Sequence, residues 1–595
     1  MAAICLQAKK KKYFFGILIL LIFHFISNFI WCSQDWITLE DDMSDHLESH
    51  LNLYYGLKQS IAQREGTIPN MVNMLKEILK YNSLRYSSFV YTISVFLNLM
   101  LLNSSILITR FSMFLFFAIL ILSVYGIGKY MIGAYYGMIA AILVSLYPAI
   151  LGPSRLYYLD FPLTCISSLA VYFLLKTNFF SSRKNSLFFG LSLGIGILVK
   201  APMLIIILGP LCYTIYVGIS RKKNCVKKEI FASVFNLVGA ILIAGFVSAI
   251  WWAPRFFDLW ERFCAHVVVS SVNSEIPHYL GGIMVLPIFS LNWFLCYVYF
   301  LINNLSPILF LVFVLGLFFM PKVKVNREHK TILIFWLFVP IILFTFCAVK
   351  KDRFIMPVIP AMAIITSIFF FSIKNKNKRI FLVLAVIVFA VSQALFLSYY
   401  PKSNELTLDS KKNSIFYFIT PMHRPKIVGI AKDSLKCSFV ESPCIQPHRL
   451  DINFITKRLI EKMDFSHKNQ NINIAMFYEK KLYNQAFCIR YALKSKSPYY
   501  CFFQLNKWEN VEALMEKEPG VYCTAKRDSY DFIITLSSIR TLTKKIFPDN
   551  SEFFDDYVKK KYVDKTEDYF LVDRFEINQK GFEVSLFKKS ITILN

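Results

Sequence analysis

Residues 9–30 read KKKKYFFGILILLIFHFISNFI, four lysines followed by a run without Asp, Glu, Lys or Arg. A helix needs about 20 apolar residues to span the hydrocarbon of a bilayer, and this run supplies them. The start resembles a signal peptide, but the apolar run is long. It is followed by Trp31-Cys32-Ser33 rather than by a small-x-small cleavage site. The reading is an uncleaved first helix, with the four lysines holding the N-terminus in the cytoplasm.

Comparable runs recur as far as residue 397 and then stop. Spans are expected at 13–31, 111–128, 131–149, 160–177, 187–199, 201–219, 230–252, 303–320, 331–348, 354–372 and 380–397. These make eleven, and the apolar stretch 280–300 would raise the number as far as thirteen if it formed a re-entrant pair. Residues 89–108 are also apolar enough to cross. If they crossed, the basic loops at Arg183-Lys184, 221–228, 322–330 and 374–379 would all lie outside. The positive-inside rule therefore lays 89–108 along the outer surface. The expected fold is a multi-pass α-helical membrane domain over 1–397, with a first outer loop at 33–110, followed by a soluble extracytoplasmic α/β domain over 398–595.

Composition agrees with that class. The chain is 56% hydrophobic and 18% charged, which excludes an ordinary soluble enzyme and a disordered chain. Long apolar runs exclude an outer-membrane barrel, whose strands alternate. A net charge of +27 raises the question of nucleic acid, membrane surface or phosphate as the partner. No nucleic-acid motif accompanies it, and most of the excess falls in the loops assigned to the cytoplasm.

The same topology gathers ionisable residues at the outer face. Asp41, Asp42, Asp45 and His46 follow the first span, Arg155 and Asp160 lie between the third and fourth, and Lys200 separates the fifth from the sixth. Lys350, Lys351, Asp352 and Arg353 precede the tenth. Charges at membrane depth are costly and mark function by default. Carboxylates among Lys and Arg at a lipid–water boundary suit a lipid-linked phosphate. The cations bind the phosphate and neutralise the charge that grows on it as it leaves, while a carboxylate activates a hydroxyl or phosphate acceptor. His46, His266 and His278 have no metal-ligand spacing.

Three segments carry a resemblance. Arg155-Leu-Tyr-Tyr-Leu-Asp-Phe-Pro-Leu-Thr164, Gly190-Leu-Ser-Leu-Gly-Ile-Gly-Ile-Leu-Val-Lys-Ala-Pro202 and Lys351-Asp-Arg-Phe-Ile-Met-Pro-Val-Ile-Pro-Ala361 occur in order, with Trp251-Trp252-Ala-Pro-Arg255 as a weaker echo. Together they resemble the GT-C fold membrane glycosyltransferases that use polyprenyl-phosphate sugars, among them the protein O-mannosyltransferases and the lipid A aminoarabinose transferases. The resemblance covers about residues 10–400. It implies a catalytic Asp at the start of the first outer loop, at Asp42 or Asp41, within Leu39-Glu-Asp-Asp-Met-Ser-Asp-His46. Met43 stands where a Glu is usual, and Tyr86-Ser-Ser-Phe-Val-Tyr91 lacks the usual Pro-Pro-Leu. The resemblance further implies that Asp160 supports the acceptor side and that Lys351 and Arg353 hold the carrier phosphate, joined by Lys200 and Arg155 on the charge argument.

The implied activity is a hexosyl- or pentosyltransferase of the inner (plasma) membrane. It would move a sugar from a polyprenyl-phosphate carrier to a lipid A-like or protein acceptor, inverting the anomeric centre and using no nucleotide sugar. A divalent metal is left open, since no ligand set is evident. A transporter or flippase of lipid-linked sugars would need inverted repeats or midplane charges, whereas the ionisable residues sit at helix ends. A non-catalytic member of the same fold is the other alternative, motivated by Met43. In the C-terminal part, 471–477, 499–503 and 530–536 read as strands and 483–493 as a helix, suggesting a partly parallel sheet. Its five cysteines, Cys437, Cys444, Cys488, Cys501 and Cys523, leave at least one unpaired.

Overall fold

Prolines and glycines punctuate the apolar sequence, and several helices begin or end at them. The structure is a computed structural model. It describes residues 2–34, 41–62, 67–80, 86–101, 105–221, 227–257, 279–280, 283–285, 291–346, 349–350, 352–399, 452–463, 472–478, 489, 493, 500–503, 532–538, 569–577 and 582–589. The chain forms two compact units. The first comprises Met1–Asp35, Leu75–Leu97 and Leu107–Ile445, the second Trp36–Met74, Asn98–Ile106 and Gln446–Asn595.

In chain order the first helices are α1 (Ala2–Gln34), α2 (Asp41–Ala62), α3 (Thr67–Lys80), α4 (Phe89–Met100), α5 (Ile106–Phe111) and α6 (Met113–Ile132). Gly133, at φ +101°, separates α6 from α7 (Ala134–Leu146). Glycine reaches that backbone conformation without the steric penalty of a side chain. Tyr147 precedes Pro148 and is held extended, at φ −61° and ψ 132°. The path therefore bends by 68° into α8 (Pro148–Leu151) and the 3-10 turn Pro153–Arg155.

Then come α9 (Asp160–Lys176), α10 (Arg183–Val199), α11 (Met203–Arg221) and α12 (Lys227–Trp252). α13 (Leu291–Leu305) meets α14 (Pro307–Phe319) at a 114° angle through Ser306. The helices of this unit end with α15 (Arg327–Thr345), α16 (Ile359–Ser372) and α17 (Lys376–Tyr399). In the region 280–300, read as a candidate re-entrant pair, the described residues are two short strands and most of α13, which with α14 makes a sharply bent pair. Strands β1 (Tyr279–Leu280), β2 (Ile283–Val285) and β3 (Val349–Lys350) form a small antiparallel sheet in that order.

Each of the eleven expected spans falls on a helix or helix pair. Among the described residues, seven helices are long and apolar enough to cross a membrane, nine if each bent pair counts as one span. α9 and α10, with 17 residues each, reach about 25 Å against a hydrocarbon core of about 30 Å. α4 has 12 residues and reaches only about 18 Å, too short to cross. Its Val90, Tyr91, Ser94, Val95 and Asn98 are buried while Phe96 and Met100 are exposed, so it shows one inward face.

The segment Arg353–Ser372, which contains α16, is 83% buried and forms the centre of the bundle, whereas α12 and α17 at 22% are peripheral. The periphery presents Phe231, Phe246 and Phe381 outward, as lipid contact favours. Inside, small residues let backbones touch, the usual device of membrane helices. A Cβ on Gly128 would stand 2.6 Å from Gly137 Cα, and one on Gly190 would stand 2.8 Å from Ala240 Cα.

The second unit contains α2, α18 (Ile452–Lys462) and a five-stranded sheet. Its strands are β4 (Ile472–Tyr478), β5 (Tyr500–Phe503), β6 (Phe532–Ser538), β7 (Tyr569–Ile577) and β8 (Phe582–Lys589), in the order β5-β4-β6-β8-β7. β4 runs parallel to β5 and β6, and β8 runs antiparallel to β6 and β7, with an irregularity between Leu571 and Asp573. β4, β5 and β6 overlap the three stretches read as strands from sequence. The helix expected at 483–493 lies outside the described residues except for Ile489 and Leu493. The side chains of the five C-terminal cysteines also lie outside them.

Candidate functional site

Three helix ends of the first unit bring together one carboxylate and two cations. Asp160 is the first residue of α9, preceded by Leu159 as the N-cap. A negative charge there is favoured by the helix dipole, and Pro162 fits the first turn, where its missing N–H costs nothing. The carboxylate faces two basic side chains. Lys200 Nζ donates to Asp160 Oδ1 at 2.6 Å. Arg353 Nε lies 3.6 Å from Asp160 Oδ2.

Each partner has a local reason for its position. α10 ends at Val199, and Lys200 turns into extended backbone at φ −164° and ψ 134°. Pro202 then opens the first turn of the next helix, accepting from Ile205 and Ile206 at 3.0 and 3.2 Å. Lys200 thus lies at a tight junction between α10 and α11, its backbone N–H still bonded to Gly196 O at 3.0 Å. Arg353 sits in the 3-10 turn Asp352–Val358, which feeds α16.

The side-chain exposures are 6% for Asp160, 12% for Lys200 and 16% for Arg353. In so enclosed a place water screens little, and the pairing is stronger than on a surface. Aromatic rings line the cations. Lys200 Nζ is 5.7 Å from the Tyr86 ring centre and 5.9 Å from that of Phe354, and the Arg353 guanidinium is 5.5 Å from Tyr158. Ring faces attract cations without neutralising them. Among the described residues, two cations against one carboxylate leave a net charge of +1. Such a pocket edge suits an anion, and Lys and Arg are the residues that bind phosphate oxygens.

The sequence-derived site residues distribute as follows. Asp160, Lys200 and Arg353 come together. Lys351 lies outside the described residues. Asp41 and Asp42 open α2 in the second unit, with side chains outside the described residues. Met43, where the resemblance puts a Glu, is buried at 1% exposure.

Arg155 has a different setting from the one its charge suggested. It is 1% exposed and donates to Asn28 Oδ1 at 2.9 Å, Ser398 Oγ at 2.7 Å and Ser27 Oγ at 3.2 Å. Its guanidinium lies 5.2 Å from the ring of Trp31, which also lies 5.1 Å from the Arg110 guanidinium. Arg110 Nε donates to the Arg155 carbonyl at 2.9 Å. These bonds fasten α1 and α17 to the turn before α9, a tie between elements rather than an open anion site.

Sequence reasoning passed over Tyr86, Tyr158 and Phe354. Tyr158 and Phe354 adjoin the charges within motifs already singled out, so their proximity carried a signal. Tyr86 carried none. Among the described residues, no three His, Cys, Asp or Glu side chains are grouped as metal ligands would be.

Residues 88–252 match the family model described as dolichyl-phosphate-mannose-protein mannosyltransferase, a stretch that contains Asp160 and Lys200. The fold is similar to the crystal structure of ArnT from Cupriavidus metallidurans bound to undecaprenyl phosphate. There the TM-score is 0.58 and the identity 11%, over 96% of this chain and 98% of that chain. The apo form of the same protein gives a TM-score of 0.55 at 10% identity, over the same shares. No curated protein matches the chain in sequence. The fold is the GT-C architecture that the motifs implied.

Proposed function

We propose that this chain is a multi-pass membrane glycosyltransferase that takes a sugar from a polyprenyl-phosphate carrier at the outer membrane face. The observation that carries the reading is the buried Asp160–Lys200–Arg353 cluster, net positive and placed where apolar helices end. The family match over 88–252 and the fold shared with a protein crystallised with undecaprenyl phosphate support it.

In this reading Lys200 and Arg353, with Lys351, hold the carrier phosphate. Asp160 pairs with the two cations and supports the acceptor side. Asp42, or Asp41 beside it, takes the proton from the acceptor hydroxyl, on a lipid A-like glycolipid or a protein. The freed acceptor oxygen attacks the anomeric carbon opposite the phosphate. The bond from that carbon to the phosphate oxygen breaks, its electron pair leaves with polyprenyl phosphate, and the configuration inverts. Negative charge grows on the leaving phosphate in the transition state, and preorganised cations stabilise it there more than in the ground state. The N-terminus is cytoplasmic and the C-terminal part extracytoplasmic on this account.

The test is sugar transfer from polyprenyl-phosphate donors in membranes containing the full chain, with Asp42→Asn, Asp41→Asn and Lys200→Gln variants. Loss of transfer in one Asp variant identifies the base. Normal transfer by both Asp variants would overturn the base assignment. Normal transfer by Lys200→Gln would overturn the phosphate site.

A further inference from the structure

The Trp251-Trp252-Ala-Pro-Arg255 motif has no part in the chemistry above, and neither has the Ser pair after Tyr86. Both reach the turn that carries Lys200. The last carbonyls of a helix have no partner within it. In α10, Gly196 O accepts the Lys200 N–H at 3.0 Å. The next two carbonyls are taken by side chains from elsewhere. Ile197 O accepts from Trp252 Nε1 at 2.9 Å, and Leu198 O accepts from Ser87 Oγ at 2.5 Å.

The two donors are themselves anchored. Arg255 lies 3.8 Å over the Trp251 ring and donates to Leu79 O at 2.9 Å, tying the end of α12 to α3. Ser88 Oγ donates to Ile78 O at 3.0 Å, tying the Ser87 segment to the same turn of α3. Tyr86, adjacent to Ser87, is also the residue whose ring approaches the Lys200 ammonium at 5.7 Å. The helix end before Lys200 is thus clamped from two sides by residues 55 and 111 positions away in sequence.

We propose that Trp252 and Ser87 are positioning residues that set the direction of Lys200. By fixing successive carbonyls of the last α10 turn, they fix the backbone from which its ammonium reaches Asp160. Resting on the phosphate reading of Lys200, they thereby hold that ammonium ready for a polyprenyl phosphate. Site geometry must be kept within a fraction of an ångström to act, and supporting hydrogen bonds are the usual means.

The experiment uses the full chain in detergent, with Trp252→Phe, Ser87→Ala and the conservative Ser87→Thr. Mass spectrometry follows acylation of Lys200 by an amine-selective reagent, with Lys176 and Lys322 as internal references. Undecaprenyl phosphate is then titrated into each variant in both the wild-type and the Lys200→Ala backgrounds.

Trp252→Phe and Ser87→Ala should speed Lys200 labelling several-fold over the references, and Ser87→Thr should restore it. Each should weaken undecaprenyl phosphate binding about fivefold, the worth of one hydrogen bond, and only while Lys200 is present. Unchanged labelling, labelling that rises equally at the reference lysines, or equal weakening in both backgrounds would overturn the proposal. If Lys200→Ala itself leaves binding intact while Lys200 labelling still responds to Trp252 and Ser87, the phosphate reading falls and the positioning role stands.

Discussion

Replacing Asp160 with Asn should lower stability and raise phosphate affinity at once. Asn keeps the shape and removes the charge that faces Lys200 at 2.6 Å and Arg353 at 3.6 Å. Removing one partner of a buried pair costs about 3–5 kcal/mol, because the other charge is left without compensation. Here 12% and 16% exposure of the two cations lets some water in, so about 3 kcal/mol is expected. The net charge of the cluster meanwhile goes from two cations less one carboxylate, +1, to two cations alone, +2.

The described cluster then sets no carboxylate against a phosphate, and binding should tighten by on the order of 1 kcal/mol, about fivefold, at low salt. Added salt should shrink the gain. Thermal unfolding in detergent reads the first effect, and titration with undecaprenyl phosphate at two salt concentrations reads the second. Asp160→Glu, which keeps the charge, should fall between wild type and Asn in both. An Asn variant as stable as wild type would refute the buried-pair argument. Weaker phosphate binding in a folded Asn variant would refute the electrostatic one.

Three further outcomes follow from other parts of the molecule. Arg155→Lys should cost about 2 kcal/mol of thermal stability, since an ammonium cannot reproduce the fork onto Asn28, Ser27 and Ser398. Binding of undecaprenyl phosphate by the folded Arg155→Lys protein should stay at the wild-type level, and a clear loss would return Arg155 to the phosphate site. His50 in α2 is fully buried, and burial pushes its pKa down from 6.5 to about 3. It therefore stays neutral in the fold while the unfolded chain takes up a proton below 6.5. Stability is fully present above that pH and is lost as pH falls towards 3, at about 1.4 kcal/mol per unit. Melting curves between pH 7 and 5 should show that slope, and His50→Leu should flatten it. Gly190→Ala would push a methyl into the backbone of Ala240, whose Cα stands 2.8 Å from the new carbon. Backbone yields less than a side chain, so a loss of about 1–3 kcal/mol is expected in thermal unfolding.

The membrane part was legible because each span announces itself twice, by a long apolar run and by a Pro, Gly or basic cluster at its end. Lys200-Ala-Pro202 marks a break that the structure contains, whereas the expected span 131–149 runs through the bend at Tyr147-Pro148. Residues 89–108 were not decided by hydropathy, since apolar content does not separate a helix that crosses from a short one with one buried face. The charge asymmetry of distant loops supplied what the local sequence lacked.

Among the site residues, Asp160, Lys200 and Arg353 stood out as charges at helix ends. Arg155 stood out for the same reason, yet its guanidinium turns inward to Asn28 and Trp31. Charge and depth are visible in sequence; the direction of a side chain at a bend is not. The ring of Tyr86 and the indole of Trp252 were hidden for a related reason. Their roles depend on which carbonyl or ammonium lies opposite, 114 residues away for Tyr86 and Lys200 and 55 for Trp252 and Ile197.

The central claim is that the chain binds a lipid through its phosphate. The most direct measurement compares undecaprenyl phosphate with undecaprenol, the same lipid without the phosphate, on the full chain and on Lys200→Ala. The account predicts that the phosphate form binds at least tenfold more tightly, on the order of the 1.4 kcal/mol expected from charge-assisted contacts, and that Lys200→Ala removes most of the difference. Equal binding of the alcohol and the phosphate by the wild-type chain would contradict it.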